Sequence, residues 1–113
     1  MTTCVFCRIA SGEESARIVY EGEYVTAFRD QNPQAPTHIL IIPNEHVESV
    51  DAVESGDEVW LGRLFLVARQ LAEDEGLDSG YRLVVNTGAE AGQSIHHLHM
   101  HLLGGRPLSW PPG

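Results

Sequence analysis

Apolar and polar residues alternate strictly along His97-Leu98-His99-Met100-His101-Leu102, and Leu103 follows. Side chains alternate faces along a strand, so the segment predicts a strand with Leu98, Met100 and Leu102 on a core face and His97, His99 and His101 on the other. A helix would turn His99 roughly 200° away from His97 and scatter the three rings. Arg17 to Tyr20 and Tyr24 to Phe28 read as two short strands, joined into a hairpin by the turn-forming Glu21-Gly22-Glu23. His38-Ile39-Leu40-Ile41-Ile42 is an unbroken apolar run stopped by Pro43, which predicts a central strand buried on both faces. Tyr81 to Asn86 predicts another strand, and Gly88 to Gly92 a flexible loop leading into the histidine strand. Helical spacing appears once, in Trp60, Leu61, Leu64, Phe65, Ala68, Leu71 and Ala72. Ser55 is the expected N-cap of that helix, with Glu58 three residues on, and Gly76 its stop. The pattern predicts one α+β domain over residues 1–113, a mostly antiparallel sheet of about five strands backed by one long helix.

Composition narrows the partners. The chain has 113 residues, near the common size for a single core, and its 42% apolar content is enough to build one. Asp and Glu number 16 against 7 basic residues, all of them Arg, for a net charge of −9. Such a balance repels phosphate backbones and anionic membrane surfaces, so neither nucleic acid nor membrane is an expected partner. It leaves room for a single nucleotide held by local dipoles and imidazoles. No apolar run approaches ~18 residues and Met1-Thr2-Thr3 begins no signal peptide, so a cytoplasmic protein is expected. Two cysteines in that compartment argue against a structural disulfide.

Three imidazoles on one strand face are costly if buried without partners, and they mark a site. An unprotonated imidazole nitrogen is a good nucleophile toward phosphorus near neutral pH. His99, flanked on both sides, is the best placed nucleophile. The flanking imidazoles, the Gln93 amide and the backbone N–H groups of the glycine-rich approach are candidate donors to phosphoryl oxygens. Ser94 or a neighbouring histidine would protonate a departing amine. Three histidines could instead hold a catalytic zinc, which needs a bend in the strand. Cys4-Val5-Phe6-Cys7 offers either a redox pair or half of a zinc site; two unlinked reduced thiols are the plain alternative. His46 and one strand histidine are the obvious remaining ligands. Asp30, at a strand end, can accept hydrogen bonds from vicinal hydroxyls or cap the next turn. Trp110, in the proline-rich tail, wants a partner surface.

His97-Leu98-His99-Met100-His101-Leu102-Leu103 resembles the motif of the histidine-triad (HIT) nucleotide-binding superfamily. Gly92-Gln93-Ser94, Gly104-Gly105-Arg106, Gln34-Ala35-Pro36-Thr37-His38, Gly80-Tyr81-Arg82 through Asn86, and the ending Trp110-Pro111-Pro112-Gly113 are similar to its Hint branch, so the resemblance covers nearly the whole chain. It implies a HIT-like fold with a short N-terminal helix and a two-fold dimer whose sheets join into about ten strands, the tail reaching toward the partner's site. It implies a purine nucleoside phosphoramidate hydrolase that releases AMP or GMP through a nucleotide bound covalently to His99. His97 would position, His101 and Ser94 would contact phosphate, and His38 would orient the triad. Val5 and Phe6 would wall the base, Asp30 and Gln31 the ribose, and Asn86 would lie near ribose and phosphate. Gly92, Gln93 and Trp110 complete the implied nucleotide contacts. No cofactor is implied for catalysis. Some bacterial triad proteins use the first triad histidine to bind zinc, which here selects Cys4, Cys7, His46 and His97 as ligands of a structural ion; near Hint relatives lack the cysteine pair. The transferase branch carries Gln where this chain has His101, which disfavours nucleotidyl transfer. A non-catalytic nucleotide sensor or scaffold and a dinucleoside polyphosphate hydrolase are the alternatives.

Overall fold

The apolar run around Ile39 to Ile42 becomes the middle of the molecule in a computed structural model, which describes residues 3–113. The elements are α1 (Val5–Ser11), β1 (Ile18–Glu21), β2 (Val25–Arg29), β3 (Thr37–Pro43), α2 (Glu58–Asp74), β4 (Tyr81–Val84) and β5 (Met100–Gly104), with short 3-10 turns at Val50–Ala52, Ser55–Asp57 and Ala89–Ala91. The strands form one sheet in the order β1-β2-β3-β5-β4, and every neighbouring pair is antiparallel. All seven residues of β3 are buried, because the strand sits between two partners and is covered on both faces.

Alternation divides the sheet into unequal faces. Val25, Ala27, Ile39, Ile41, Leu98, Met100 and Leu102 pack with Trp60, Leu64, Val67, Ala68 and Leu71 of α2. On the opposite face Phe28, Leu40 and Ile42 meet Phe6 and Ile9 of α1. Fifteen buried residues make up the α2 side and five the α1 side. At about 1.5–3 kcal/mol per large buried side chain, the α2 side carries most of the fold's stability. Cross-strand register sets Phe28 beside Leu40 and Leu40 beside His101, so apolar and imidazole groups share one row on the thin side.

Several expectations shift. The histidine strand is paired only from Met100; before it, the Leu98 N–H donates to the Val47 carbonyl at 2.7 Å, so His97 and His99 lie in an irregular approach that nevertheless keeps the alternation of faces. Ser55 opens a 3-10 turn instead of capping α2: Glu54 caps that turn, its N–H donating to Asp57 Oδ2 at 2.9 Å, and Asp57 is the N-cap residue of α2. Phe65 is 57% exposed, outside the core, and shares the outer surface of α2 with Val59 and Leu66. The acidic end of α2 opposes the helix dipole, but Glu75 there is engaged by Arg29 through two contacts of 2.9 and 2.8 Å, tying the end of β2 to the helix.

Candidate active site and metal cluster

On the thin side of the sheet α1 stands off the strands and leaves a cavity of about 850 Å³. One part is apolar, walled by Val5, Phe6, Ile9, Phe28, Leu40 and Ile95; the other carries Asp30, Gln31, Ser94, His99 and His101. Phe6 meets Phe28 edge-on at 5.4 Å and His99 edge-on at 5.2 Å, so the aromatic wall touches the central imidazole. An apolar slot passing into a polar, imidazole-lined end suits a ligand with a flat base and a phosphate.

Hydrogen bonds fix which nitrogen of each ring is available. A carbonyl only accepts, so His97 Nε2, 2.9 Å from the Pro43 carbonyl, carries the proton and leaves its Nδ1 lone pair open. That lone pair faces Cys4 Sγ at 3.4 Å and Cys7 Sγ at 3.5 Å. His99 Nδ1 lies 2.7 Å from the His97 carbonyl and donates to it, so the Nε2 lone pair of His99 is the free one. The Gln34 N–H donates to His38 Nδ1 at 3.0 Å, which places the His38 proton on Nε2. That proton is donated to His101 Nδ1 at 2.9 Å, and the His101 proton must therefore sit on Nε2, a buried atom with no acceptor among the described residues. Burial pushes the His101 pKa down to about 4, helped by His99 and His38 and opposed by Asp30. Burial likewise lowers His38, against the opposing pull of Asp30, and lowers His97, against the Pro43 carbonyl. His101 and His38 are thus neutral near pH 7, and the 3.4 Å approach of Asp30 Oδ2 to His38 Nε2 joins a charge to a dipole rather than two ions.

Two groups of side chains bring ligand atoms within 4.8 Å of one another: Cys4, Cys7, His46 and His97, and separately Asp30, His38 and His101. Around a tetrahedral zinc the sulfur–nitrogen edges would be about 3.6 Å, from metal–ligand distances of about 2.3 and 2.05 Å. The observed edges are 3.4 and 3.5 Å to His97 Nδ1 and 3.3 Å from Cys7 Sγ to His46 Nδ1. Both thiols lie at the start of α1, where Cys4 Sγ accepts from the Cys7 N–H at 3.4 Å and caps the helix. This group fits a metal. The other does not: His38 Nδ1 already accepts a backbone N–H, so a metal on Nε2 would demand an imidazolate. Nor do the three strand histidines converge on one ion, because His97 turns to the cysteines and His101 to His38.

The cavity brings together Val5, Phe6, Asp30, Gln31, Ser94, His99 and His101. Asp30 caps the following turn, since Oδ1 accepts from the Asn32 N–H at 2.8 Å, while Oδ2 faces His38 at 3.4 Å. Gln93 takes a different one. Its Nε2 donates to the carbonyls of Glu48 and Ile95 at 2.7 and 3.0 Å, and its Oε1 accepts from the Gly88 N–H, so the amide braces the loop instead of a phosphate. Asn86, Gly92 and Trp110 lie outside the cavity lining, and Trp110 is 81% exposed. Ile9, Phe28, Leu40 and Ile95 also line the apolar slot, and alternation with Ala27, Ile39 and Ile41 is the signal that puts Phe28 and Leu40 on the histidine face.

Residues 11–108 match the family model described as HIT domain. The chain belongs to that family. Among HIT relatives, it is 52% identical over 105 residues to the purine nucleoside phosphoramidase of Escherichia coli K12, an alignment covering 92% of this chain and 88% of that protein. It is 49% identical over 109 residues to an uncharacterized HIT-like protein of Synechocystis, covering 96% of each. The crystal structure of a HIT family hydrolase from Legionella pneumophila superposes with a TM-score of 0.96 at 48% identity, covering 98% of this chain and all of the other. The HIT fold therefore accounts for the five-stranded sheet, the long helix and α1 together.

Proposed function

We propose that this HIT protein is a purine nucleoside phosphoramidate hydrolase, with residues 1–113 forming one HIT domain. The observation that carries the reading is the free Nε2 lone pair of His99, held by the His97 carbonyl beside an apolar slot sized for a base. In the first step that lone pair attacks the α-phosphorus and the phosphorus–nitrogen bond breaks. The departing amine is protonated through the Ser94 hydroxyl, which is resupplied from solvent, while His101 Nε2–H donates a hydrogen bond to the phosphoryl oxygens and AMP or GMP is left on His99. Water then attacks phosphorus and releases its proton to solvent, the His99–phosphorus bond breaks, and the nucleotide leaves with the imidazole restored. Val5 and Phe6 wall the base, Asp30 and Gln31 meet the ribose, His38 orients His101, and His97 positions His99. Catalysis needs no cofactor in this scheme. To test it, the protein is incubated with adenosine 5′-phosphoramidate, quenched in acid and analysed by peptide mass spectrometry. AMP should be released, with a transient adduct on the peptide containing His99. His99→Ala should lower turnover by about three orders of magnitude or more while AMP still binds. Binding without turnover would turn the reading to a nucleotide sensor, and faster cleavage of dinucleoside polyphosphates to that hydrolase class.

The Cys4, Cys7, His46 and His97 cluster is assigned to a structural zinc, supported by its donor set and edge lengths. The ion would pin α1, and with it Phe6, to the approach of β5. Thiols used this way belong in a reducing compartment, and we place the protein in the cytoplasm on that ground. We further assign a two-fold dimer pairing the β4 edges of two five-stranded sheets into ten strands. Exposed Val59, Phe65 and Leu66 on α2 and Trp110 in the tail support a covered surface. A monomer by light scattering at micromolar concentration would overturn the dimer.

A further inference from the structure

The chain of protons that ends at His101 starts outside the cavity. Its first donor is the Gln34 N–H, in the loop between β2 and β3, and that loop is held by the segment that follows β5, the neighbouring strand. Arg106, two residues beyond β5, donates through Nη2 to the Gln34 carbonyl at 2.9 Å and through Nη1 to the Pro107 carbonyl at 3.0 Å. Gly105 next to it has φ +93°, and a Cβ there would stand 2.8 Å from Pro36 Cβ, so the two segments touch with no room for a side chain. From the other side Gln34 Nε2 grips the Asn32 carbonyl at 3.0 Å, and Asp30 Oδ1 holds the Asn32 N–H. The Gln34 carbonyl and N–H belong to the peptide units on either side of one Cα, so clamping the first limits rotation of the second.

We propose that Arg106 is a positioning residue which, by holding Gln34, fixes the ring tautomer of His38 and through it makes His101 Nε2–H a hydrogen-bond donor to the phosphoryl group. The proposal deepens the hydrolase reading above and rests on it for its catalytic consequence. The alternative arrangement shows what is at stake. If the His38 proton moved to Nδ1, its Nε2 would accept from His101 Nδ1–H, and His101 Nε2 would present a lone pair. A lone pair there repels a phosphoryl oxygen and has no N–H to donate to it. In that state the Gln34 N–H would also face another N–H. Asp30 Oδ2, 3.4 Å from His38 Nε2, favours the same tautomer as Gln34, so Arg106 shares the task with a carboxylate and its loss should be partial.

Arg106 is exposed and removing it opens no buried cavity. Arg82 is the matched control: it also grips a backbone carbonyl, that of Ser109, at 2.9 Å, yet has no link to Gln34. The test uses full-length protein labelled with ¹⁵N-histidine, in which long-range ¹H–¹⁵N spectra read the tautomer of each ring without any turnover. Wild type and Arg82→Ala should show His38 and His101 as Nε2–H forms. Arg106→Ala should show a mixture at both rings, kcat for adenosine 5′-phosphoramidate about tenfold lower and KM little changed, a fraction of the ~10²–10³ that one hydrogen-bond donor to developing oxyanion charge supplies. Arg106→Lys, which can still reach the carbonyl with one donor, should recover part of both. Folded Arg106→Ala with wild-type ring spectra overturns the proposal, as does an equal kcat loss in Arg82→Ala. If no variant and no wild type turns over the phosphoramidate, the hydrolase reading falls while the ring spectra still decide the tautomer.

Discussion

The two ends of the histidine row are built from the same residue at the same spacing and behave oppositely. At His97 the backbone carbonyl of Pro43 takes the Nε2 proton, and the remaining lone pair turns to sulfur. At His101 an imidazole donates to Nδ1, and what remains is a proton with no acceptor among the described residues. His99, between them, donates from Nδ1 and keeps Nε2 as a lone pair. One lone pair turned to thiols, one open lone pair and one N–H facing no acceptor among the described residues thus arise from three identical side chains, because a different external group ties one nitrogen of each. A triad motif is best described by its carbonyls and N–H groups as much as by its rings.

Substituting each end separately breaks the comparison most sharply. His101→Asn should reduce kcat for the phosphoramidate by roughly a hundredfold with little loss of stability, the effect of losing a positioned hydrogen-bond donor to the phosphoryl oxygens. His97→Asn should lower kcat by less than about tenfold but cost the metal, read as zinc content by elemental analysis. Similar kcat losses at both positions would merge the two roles.

Chelation addresses the His97 end alone. Protein purified without added metal should carry near one zinc per chain, and removing it should lower Tm by about 5 °C or more, with both thiols becoming reactive to a thiol reagent. The His101 ring spectrum should be unaffected. Zinc content near zero would leave Cys4 and Cys7 as thiols hydrogen-bonded to imidazoles.

Acid titration gives the smallest effect and isolates the His101 end. In the unfolded chain its pKa is near 6.5, whereas the folded value is about 4. The unfolded chain therefore binds the proton first, and the stabilisation, full above pH 6.5, declines as pH falls toward 4. His38 is lowered in the same direction. Denaturant midpoints of chelator-treated protein should fall across that window, and His101→Asn should flatten the fall. A flat wild-type profile would place His101 in a more solvated setting.

What the sequence disclosed was what depends on neighbours a few residues away. Alternation of period two put His97, His99 and His101 on one face, and the run from Ile39 to Ile42 announced a strand covered on both sides. Its blind spots were set by distant partners. The ladder begins at Met100 because Leu98 is claimed by Val47. Gln93 looked like a phosphate donor because its partner, the Glu48 carbonyl, lies 45 residues away. The Arg106–Gln34 contact spans 72 residues and involves only a backbone oxygen of Gln34, which leaves no mark in residue type. Phe65 fitted the helical stripe as well as Leu64, and only the tilt of α2 on the sheet separates them.

The lopsided covering of β3 also shapes how the native state breathes. Fifteen buried side chains hold α2 to the sheet and five hold α1. A partial opening that releases α1 exposes far less apolar surface than global unfolding, so it costs less free energy and is visited more often. In amide hydrogen exchange α1 should behave as a separate, weaker cooperative unit above a slowly exchanging β3. The aromatic wall of the cavity rides on that unit through Phe6, and the cluster thiols do as well. Whatever binds to the closed arrangement, nucleotide or ion, draws on the same closing free energy, and each should therefore tighten the other.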